Sequence, residues 1–107
     1  ISWSPLNVFD NSYKTSGEMS LGMAIEALKR GYKVARSGWN GKGMFVLLVP
    51  SSPNIKPVSG TPYSKAGITN EVTIDSHIDM FTAGGSMQPG WLASQADMLS
   101  NDWCIVE

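Results

Sequence analysis

The sequence predicts a single α+β domain in which two short helices pack on an antiparallel sheet. Two segments carry helix signals, and several short apolar runs are separated by turns rich in Gly, Pro and Asn, which is typical of antiparallel strands. With 107 residues, of which 42% are apolar, the chain suffices for one hydrophobic core. We divide it into an irregular arm, residues 1–18, and a domain, residues 19–107.

The first helix is predicted to begin after Ser20. Apolar residues then recur at the spacing of one helix face: Leu21, Ala24, Ile25 and Leu28. Lys29 and Arg30 fall in the last turn, where a cation stabilises the helix dipole, and Gly31 is placed to cap the helix. These signals predict a short amphipathic helix.

A β-hairpin is predicted to follow this helix. Residues 32–37 form the first strand, residues 38–43 the turn, and residues 44–49 a buried second strand that a proline ends. Within the turn, Asn40-Gly41 is the strongest local hairpin signal, because both residue types adopt positive φ readily. The helix therefore leads directly into two antiparallel strands.

The middle of the chain combines a loop with further strands. Residues 51–67 hold several prolines and no periodicity, so we expect a long surface loop there. Residues 74–82 are strand-like, Gly84-Gly85 supplies a hairpin turn, and residues 86–92 return antiparallel with a Pro-Gly bend. This part of the chain is predicted to extend the sheet.

A second helix is predicted from a capping box. The Ser94 hydroxyl can accept a hydrogen bond from the Asp97 amide, and the Asp97 carboxylate can accept one from the Ser94 amide. We expect the helix to end near Ser100-Asn101 and residues 103–106 to form a closing strand. The domain would thus end on a strand of the main sheet.

Composition and charge argue against several functions. A formal charge of -1 lacks the basic excess that binding to long nucleic acid requires. One histidine and one cysteine are too few for a zinc deaminase or metallohydrolase, so we expect no metal or other cofactor. The longest apolar run, residues 44–49, is far shorter than the ~20 residues that cross a bilayer, and no basic-then-apolar leader opens the chain. We expect a soluble, cytoplasmic protein.

Enzymatic chemistry finds little support in the sequence. His77 would have to serve as the base of any Ser-His-Asp arrangement, and no nucleophile-elbow glycine pattern surrounds a serine. The remaining acid–base candidates are two carboxylate pairs: Asp75 with Asp79, and Asp97 with Asp102. Capping and solvation are their alternative roles. We therefore predict a binding protein and not an enzyme.

Two of the four tryptophans, Trp39 and Trp91, lie in glycine-flanked turns. A tryptophan in a turn either plugs the edge of the core or offers a flat face to a nucleotide base. Several polar side chains could bind the base edge, ribose and phosphate of such a ligand: Arg36, Asn40, Ser94, Gln95 and Asp97. The residues alone leave both roles of the tryptophans open.

Three segments carry distinctive motifs: residues 19–29, residues 36–45 with the run Gly-Trp-Asn-Gly-Lys-Gly-Met, and residues 91–103 with the run Trp-Leu-Ala-Ser-Gln-Ala-Asp-Met. They resemble a small phage family, long known as a domain of unknown function, that includes the Thoeris anti-defence proteins of the second type. The resemblance covers residues 19–107, and the arm falls outside it.

The resemblance implies an α+β homo-oligomer, typically a tetramer, that sequesters glycocyclic ADP-ribose signals made by TIR-domain enzymes without cleaving them. Some members of the family also hold cyclic oligonucleotides at a second pocket. The family's ligand-stacking aromatics fall on Trp39 and Phe45. Its strongest motif supplies three ligand candidates, Ser94, Gln95 and Asp97, and helix capping explains the serine and the aspartate equally well.

The resemblance, with which the residues agree, implies a sponge for a cyclic nucleotide immune signal in the cytoplasm of an infected bacterial cell. Nanomolar capture needs about −12 kcal/mol, of which two aromatic stacks at ~1–3 kcal/mol each supply roughly half at best. Enclosure between subunits and cations near the diphosphate must supply the rest, and the nearest cations are Arg36, Lys33 and Lys42. A nucleotide-degrading enzyme and a protein–protein inhibitor of a host defence factor are the two alternative classes.

Overall fold

The computed structural model describes residues 18–106. In chain order the elements are α1 (Leu21–Lys29), β1 (Lys33–Arg36), β2 (Phe45–Val49), β3 (Ser52–Ile55), α2 (Pro62–Lys65), β4 (Val72–Ile74), β5 (His77–Phe81), β6 (Met87–Gln88), α3 (Gln95–Leu99) and β7 (Trp103–Val106). Five strands form an antiparallel sheet in the order β6-β5-β2-β1-β7, and β3 pairs with β4 in a separate two-stranded sheet. The predicted α+β fold is confirmed. The predicted arm lies outside the described residues except for Glu18, which is exposed.

Helix α1 has the predicted caps at both ends. The Ser20 hydroxyl accepts a hydrogen bond from the Met23 amide at 3.3 Å. Gly31 has a φ of 92°, which suits glycine, and its amide donates to the Leu28 carbonyl at 3.0 Å. The face that carries Ala24 and Leu28 is buried, so the predicted amphipathic helix is confirmed.

The core lies between α1 and one face of the main sheet, which we call the core face. Val34 of β1 is paired with Val46 of β2 and with Ile105 of β7, and side chains at paired positions project to the same face. The buried cluster contains Met19, Ala24, Ala27, Leu28, Val34, Val46, Trp103 and Ile105. Helix α3 contacts α1 and therefore also lies on this side of the sheet.

The opposite side of the main sheet, which we call the outer face, is also rich in apolar residues. Because side chains alternate along a strand, the residues next to Val34 and Val46 project there. The outer face carries Lys33, Ala35, Phe45, Leu47, Val49, His77, Asp79, Phe81, Met87, Cys104 and Val106. Most of these side chains are half-buried.

The prediction of a long surface loop for residues 51–67 is wrong, because this segment contains β3 and α2. Pro53 is tolerated in β3 because a strand with a single partner needs only some of its amides. The register shifts between Ser52 and Ile55, and Asn54 there has a φ of 61°. Pro62 occupies the first turn of α2, where a helix tolerates the missing amide.

The strand predicted for residues 74–82 is divided into β4 and β5, which belong to different sheets. The Gly84-Gly85 turn is confirmed, since the Thr82 amide donates to the Ser86 carbonyl at 2.8 Å and Gly85 has a φ of 89°. The returning strand is antiparallel as predicted, but β6 spans two residues only.

The β1–β2 hairpin forms at the predicted place through a longer connection, residues 37–44. A two-residue Asn-Gly turn needs positive φ at both residues, whereas here the positive φ belongs to Gly43. Gly41 is required for a different reason. A Cβ atom at this position would overlap the Met44 sulfur and lie 2.8 Å from the Ala83 Cβ atom. The connection is thus a compact loop packed against the β5–β6 turn.

Candidate functional site

Arg36, a predicted ligand residue, is held between two aspartates. Its Nη1 atom donates to Asp97 Oδ1 and its Nε atom donates to Asp102 Oδ1, both at 2.8 Å. The other oxygen of Asp102 accepts a hydrogen bond from the Gly38 amide, also at 2.8 Å. The arginine side chain is only 15% exposed. It therefore fastens the end of β1 to the α3–β7 segment.

Asp97 connects this ion-pair network to helix α3 and to Trp39. Its Oδ1 atom also accepts a hydrogen bond from the Trp39 indole nitrogen at 3.1 Å. Its Oδ2 atom accepts one from the Ser94 amide, and the Ser94 hydroxyl accepts one from the Asp97 amide, both at 3.0 Å. The predicted capping box is confirmed. One carboxylate thus caps a helix, pairs with Arg36 and orients an indole.

These contacts decide the ionisation of both aspartates. Burial alone would raise the pKa of Asp97, but hydrogen bonds from Ser94, Arg36 and Trp39 lower it from 3.8 to about 2. The hydrogen bond from Arg36 likewise lowers the pKa of Asp102. Hydrogen bonds to both aspartates raise the pKa of Arg36, and the bond to Asp102 has the larger effect. All three groups are therefore charged at neutral pH.

The tryptophan cluster, Trp39, Trp91 and Trp103, lies beside this network. Ring centroids are 5.3 Å apart for Trp39 and Trp103, 6.3 Å for Trp39 and Trp91, and 6.0 Å for Trp91 and Trp103. All three contacts are edge-to-face, a favourable arrangement for aromatic rings. Trp103 is fully buried, whereas Trp39 and Trp91 are half-buried. The two turn tryptophans therefore plug the edge of the core and still expose part of their rings.

A second aromatic group, Phe45 with Phe81, lies on the outer face. The two residues are paired across β2 and β5, and their rings stack with centroids 5.0 Å apart and an interplanar angle of 15°. The Lys33 ammonium lies 4.7 Å from the centroid of the Phe45 ring. Phe45 is thus in contact with an aromatic ring and with a cation.

The structure brings five of the eight predicted ligand residues together and separates the other three. Those in or beside the ion-pair network are Arg36, Trp39, Trp91, Ser94 and Asp97. Phe45 projects to the opposite face of the sheet. Asn40 is exposed in the β1–β2 connection, and Gln95 is exposed at the first position of α3. The binding role of these residues stays a prediction.

Sequence reasoning missed two members of these groups. Asp102 was considered only as an acid–base partner of Asp97, whereas both aspartates bind Arg36. Phe81 was not singled out, although it lies in a strand-like run and pairs with Phe45. In the other predicted carboxylate pair, Asp75 with Asp79, the side chain of Asp79 contacts two other residues. Asp79 accepts a hydrogen bond from the Gly90 amide at 2.9 Å, and His77 Nε2 lies 3.4 Å from its other oxygen.

A separate cavity of about 430 Å³ lies in the β3–α2 segment. It is lined by Ile55, Lys56, Pro57, Val58, Thr61, Pro62 and Tyr63. Its volume falls in the range of small-molecule sites, but its lining is almost entirely apolar. None of its residues belongs to the predicted ligand set.

Within residues 18–106, no cluster of three or more His, Cys, Asp or Glu side chains is arranged to hold a metal ion. In the same stretch, no helix has the length and apolarity needed to cross a membrane.

Comparison with known proteins identifies the family. The family model described as the Thoeris anti-defense 2-like domain matches residues 19–106. A protein named Thoeris anti-defense 2, from Bacillus phage SP01, is 40% identical over 89 residues, which cover 83% of this chain and 96% of that relative. The resemblance noted in the sequence is thereby confirmed. The chain belongs to the family of Thoeris anti-defense 2-like domains.

Proposed function

We propose that this protein is a phage anti-defence sponge, which binds a cyclic nucleotide immune signal of the glycocyclic ADP-ribose class and does not cleave it. It would act in the cytoplasm of the infected bacterium. The family to which the chain belongs supports the anti-defence role. The observation that carries the binding role is the half-buried Trp39 ring, which Asp97 and two further tryptophans hold in place.

A fixed ring of this kind favours binding. Stacking of a base on an aromatic side chain is worth about 1–3 kcal/mol. Trp39 has a hydrogen bond on its indole nitrogen and edge contacts to Trp91 and Trp103, so little side-chain entropy is left to lose when a base stacks on it. The Trp39 ring is therefore preorganised for stacking with a flat ligand.

The positions of Trp39 and Phe45 support an oligomeric site. Both lie at the turn end of the β1–β2 hairpin, but Trp39 packs on the core face and Phe45 projects to the outer face. A nucleotide-sized ligand would contact both types of ring where two copies meet, with Trp39 from one copy and Phe45 from another. We therefore include a homo-oligomer, a tetramer, in the proposal.

The state of the aspartates supports capture without catalysis. At neutral pH, Asp97 has no proton to give, because its pKa is about 2. Its low basicity and its bonds to Arg36 and Trp39 also make it a poor general base. A sponge needs no such group, because binding a ground state and a transition state equally well accelerates nothing.

The proposal is tested by recovering the ligand. The purified full chain is mixed with a slight excess of glycocyclic ADP-ribose, unbound ligand is removed by filtration, the protein is unfolded by heat, and the released material is identified by chromatography. We expect intact ligand in near-stoichiometric amount. Recovery of an altered product would mean that the protein is an enzyme. If no ligand is recovered and the protein instead captures a host defence factor, it is a protein–protein inhibitor.

A further inference from the structure

Lys33 has a contact that a ligand can replace. It is the first residue of β1 and projects to the outer face, where its ammonium lies 4.7 Å from the Phe45 ring centroid. Among residues 18–106 it forms no ion pair with a carboxylate. A cation–π contact at a partly exposed site is a weak interaction. The ammonium is therefore held weakly over the ring.

The neighbour of Phe45 on β1 is a small residue. The Val34–Val46 pair places Ala35 opposite Phe45 on the outer face, and Lys33 lies two positions before Ala35 on the same face. To reach the Phe45 ring, the lysine stem must pass beside Ala35, which is only 8% exposed. A ligand that displaces the stem would therefore meet only a methyl group on β1 beside the Phe45 ring.

Only one side of the Phe45 ring is available for a ligand. Phe81 stacks against it from β5, and the strand order puts β1, with Lys33 and Ala35, on the other side of β2. A base that stacks on Phe45 without displacing Phe81 must enter on the β1 side. It would then take the place of the ammonium.

The other cation of β1 is engaged elsewhere. Arg36, the other cationic residue of β1, gives its Nε and Nη1 donors to Asp102 and Asp97, and removing it from them would leave two carboxylates unpaired. Lys33 forms no such ion pair among residues 18–106. It is therefore the better source of positive charge for a phosphate.

We infer that Lys33 is the phosphate-binding residue of this site, and that its ammonium leaves the Phe45 ring for a ligand phosphate when a base stacks there. The inference rests on the proposed function and adds the residue that recognises the anionic part of the ligand. It defines the ligand class as an aromatic base carrying a phosphate close to the base. Exchange of a ring contact for a charge-assisted hydrogen bond favours binding, because hydrogen bonds between ions are the stronger kind.

The test is calorimetric titration of full-length variants with glycocyclic ADP-ribose at low and moderate salt. Lys33→Met keeps the apolar stem over Ala35 and removes the charge, Lys33→Arg restores the charge, and Lys65→Met removes an exposed lysine of α2 as the matched control. We expect Lys33→Met to bind at least tenfold more weakly with less dependence on salt, Lys33→Arg to recover most of the affinity, and Lys65→Met to bind like the wild type.

A second readout follows the lysine itself. In the free protein, the Phe45 ring current should shield the Lys33 side-chain protons in NMR spectra, and this shielding should vanish when the ligand binds. The inference about Lys33 would be overturned if the wild type binds the ligand and Lys33→Met binds it equally tightly. It would also be overturned if the shielding of the Lys33 protons persists in the ligand-bound wild type. Absence of binding by the wild type would overturn the proposed function instead, so the two failures are distinguishable.

Discussion

The indole nitrogen of Trp39 donates to Asp97 Oδ1, and the same oxygen accepts a hydrogen bond from Arg36. One atom therefore orients the half-buried ring and belongs to the ion-pair network that joins β1 to α3. The fold and the proposed binding site consequently depend on overlapping residues in this protein. Variants that alter the ring alone, or the network alone, separate the two.

Trp39→Ala removes the ring on which the base is proposed to stack. We expect the affinity for glycocyclic ADP-ribose to fall by about 5- to 150-fold, because one stack contributes about 1–3 kcal/mol and the anchored cluster loses a member. Calorimetry measures the affinity, and size-exclusion chromatography should show an unchanged oligomer. Trp39→Phe keeps a flat ring as the control. Undiminished affinity in Trp39→Ala would remove Trp39 from the site.

Asp97→Asn removes the charge at the centre of the network. We expect a loss of about 2–3 kcal/mol in the free energy of unfolding, since Arg36 keeps one carboxylate and the capping box is weakened. Urea unfolding measures it. The control Asp75→Asn, at an exposed position, should change the free energy by less than about 0.5 kcal/mol. Equal stability of the two variants would contradict a central role for Asp97.

The stability of the protein should fall in acid. The pKa of Asp97 is lowered from 3.8 to about 2, so this group contributes stability that is complete above 3.8 and is lost as the pH falls to about 2. The contribution amounts to about 2 kcal/mol. Urea unfolding between pH 5 and pH 2 checks it. Asp97→Asn should reduce the slope in this window, and an unchanged slope would remove Asp97 as its source.

Gly41→Ala should destabilise the fold. The new methyl group would overlap the Met44 sulfur and crowd the Ala83 Cβ atom, and overpacking of this kind costs about 1–3 kcal/mol. Thermal unfolding measures the loss. Gly84→Ala is the matched control, because the nearest atom to its new methyl group is the Thr82 hydroxyl at 3.8 Å. If both variants unfold at the wild-type temperature, the close packing of the connection is contradicted.

Local signals predicted much of the fold. Helix α1 follows from its apolar spacing, Ser20 and Gly31, and α3 follows from the Ser94–Asp97 capping box. These signals act within a few residues, so the sequence carries them in full. The β3–α2 segment was missed because Pro53 and Pro57 are typical of loops, and only the pairing with β4 makes a strand of it.

The site was predictable in its residues and not in its arrangement. The sequence identified Trp39, Arg36 and Asp97 as polar or aromatic residues of interest, but Arg36 and Asp97 are 61 positions apart and meet only through the sheet. The sequence predicted only that Phe45 lies in a buried strand, and the register of the sheet shows that it projects to the face away from Val46. The sequence could not show that Trp39 would turn toward the core face, because that depends on Trp103.

Residues 50–76 leave the main sheet after Val49 and return at His77, and these two residues are paired with each other. Everything between them, including β3, α2 and β4, is therefore an excursion whose two ends are adjacent. A short turn could take its place without changing the register of any strand in the main sheet. For protein engineering the excursion is therefore an insertion point, where a segment of another length would leave the main sheet and the tryptophan cluster in place.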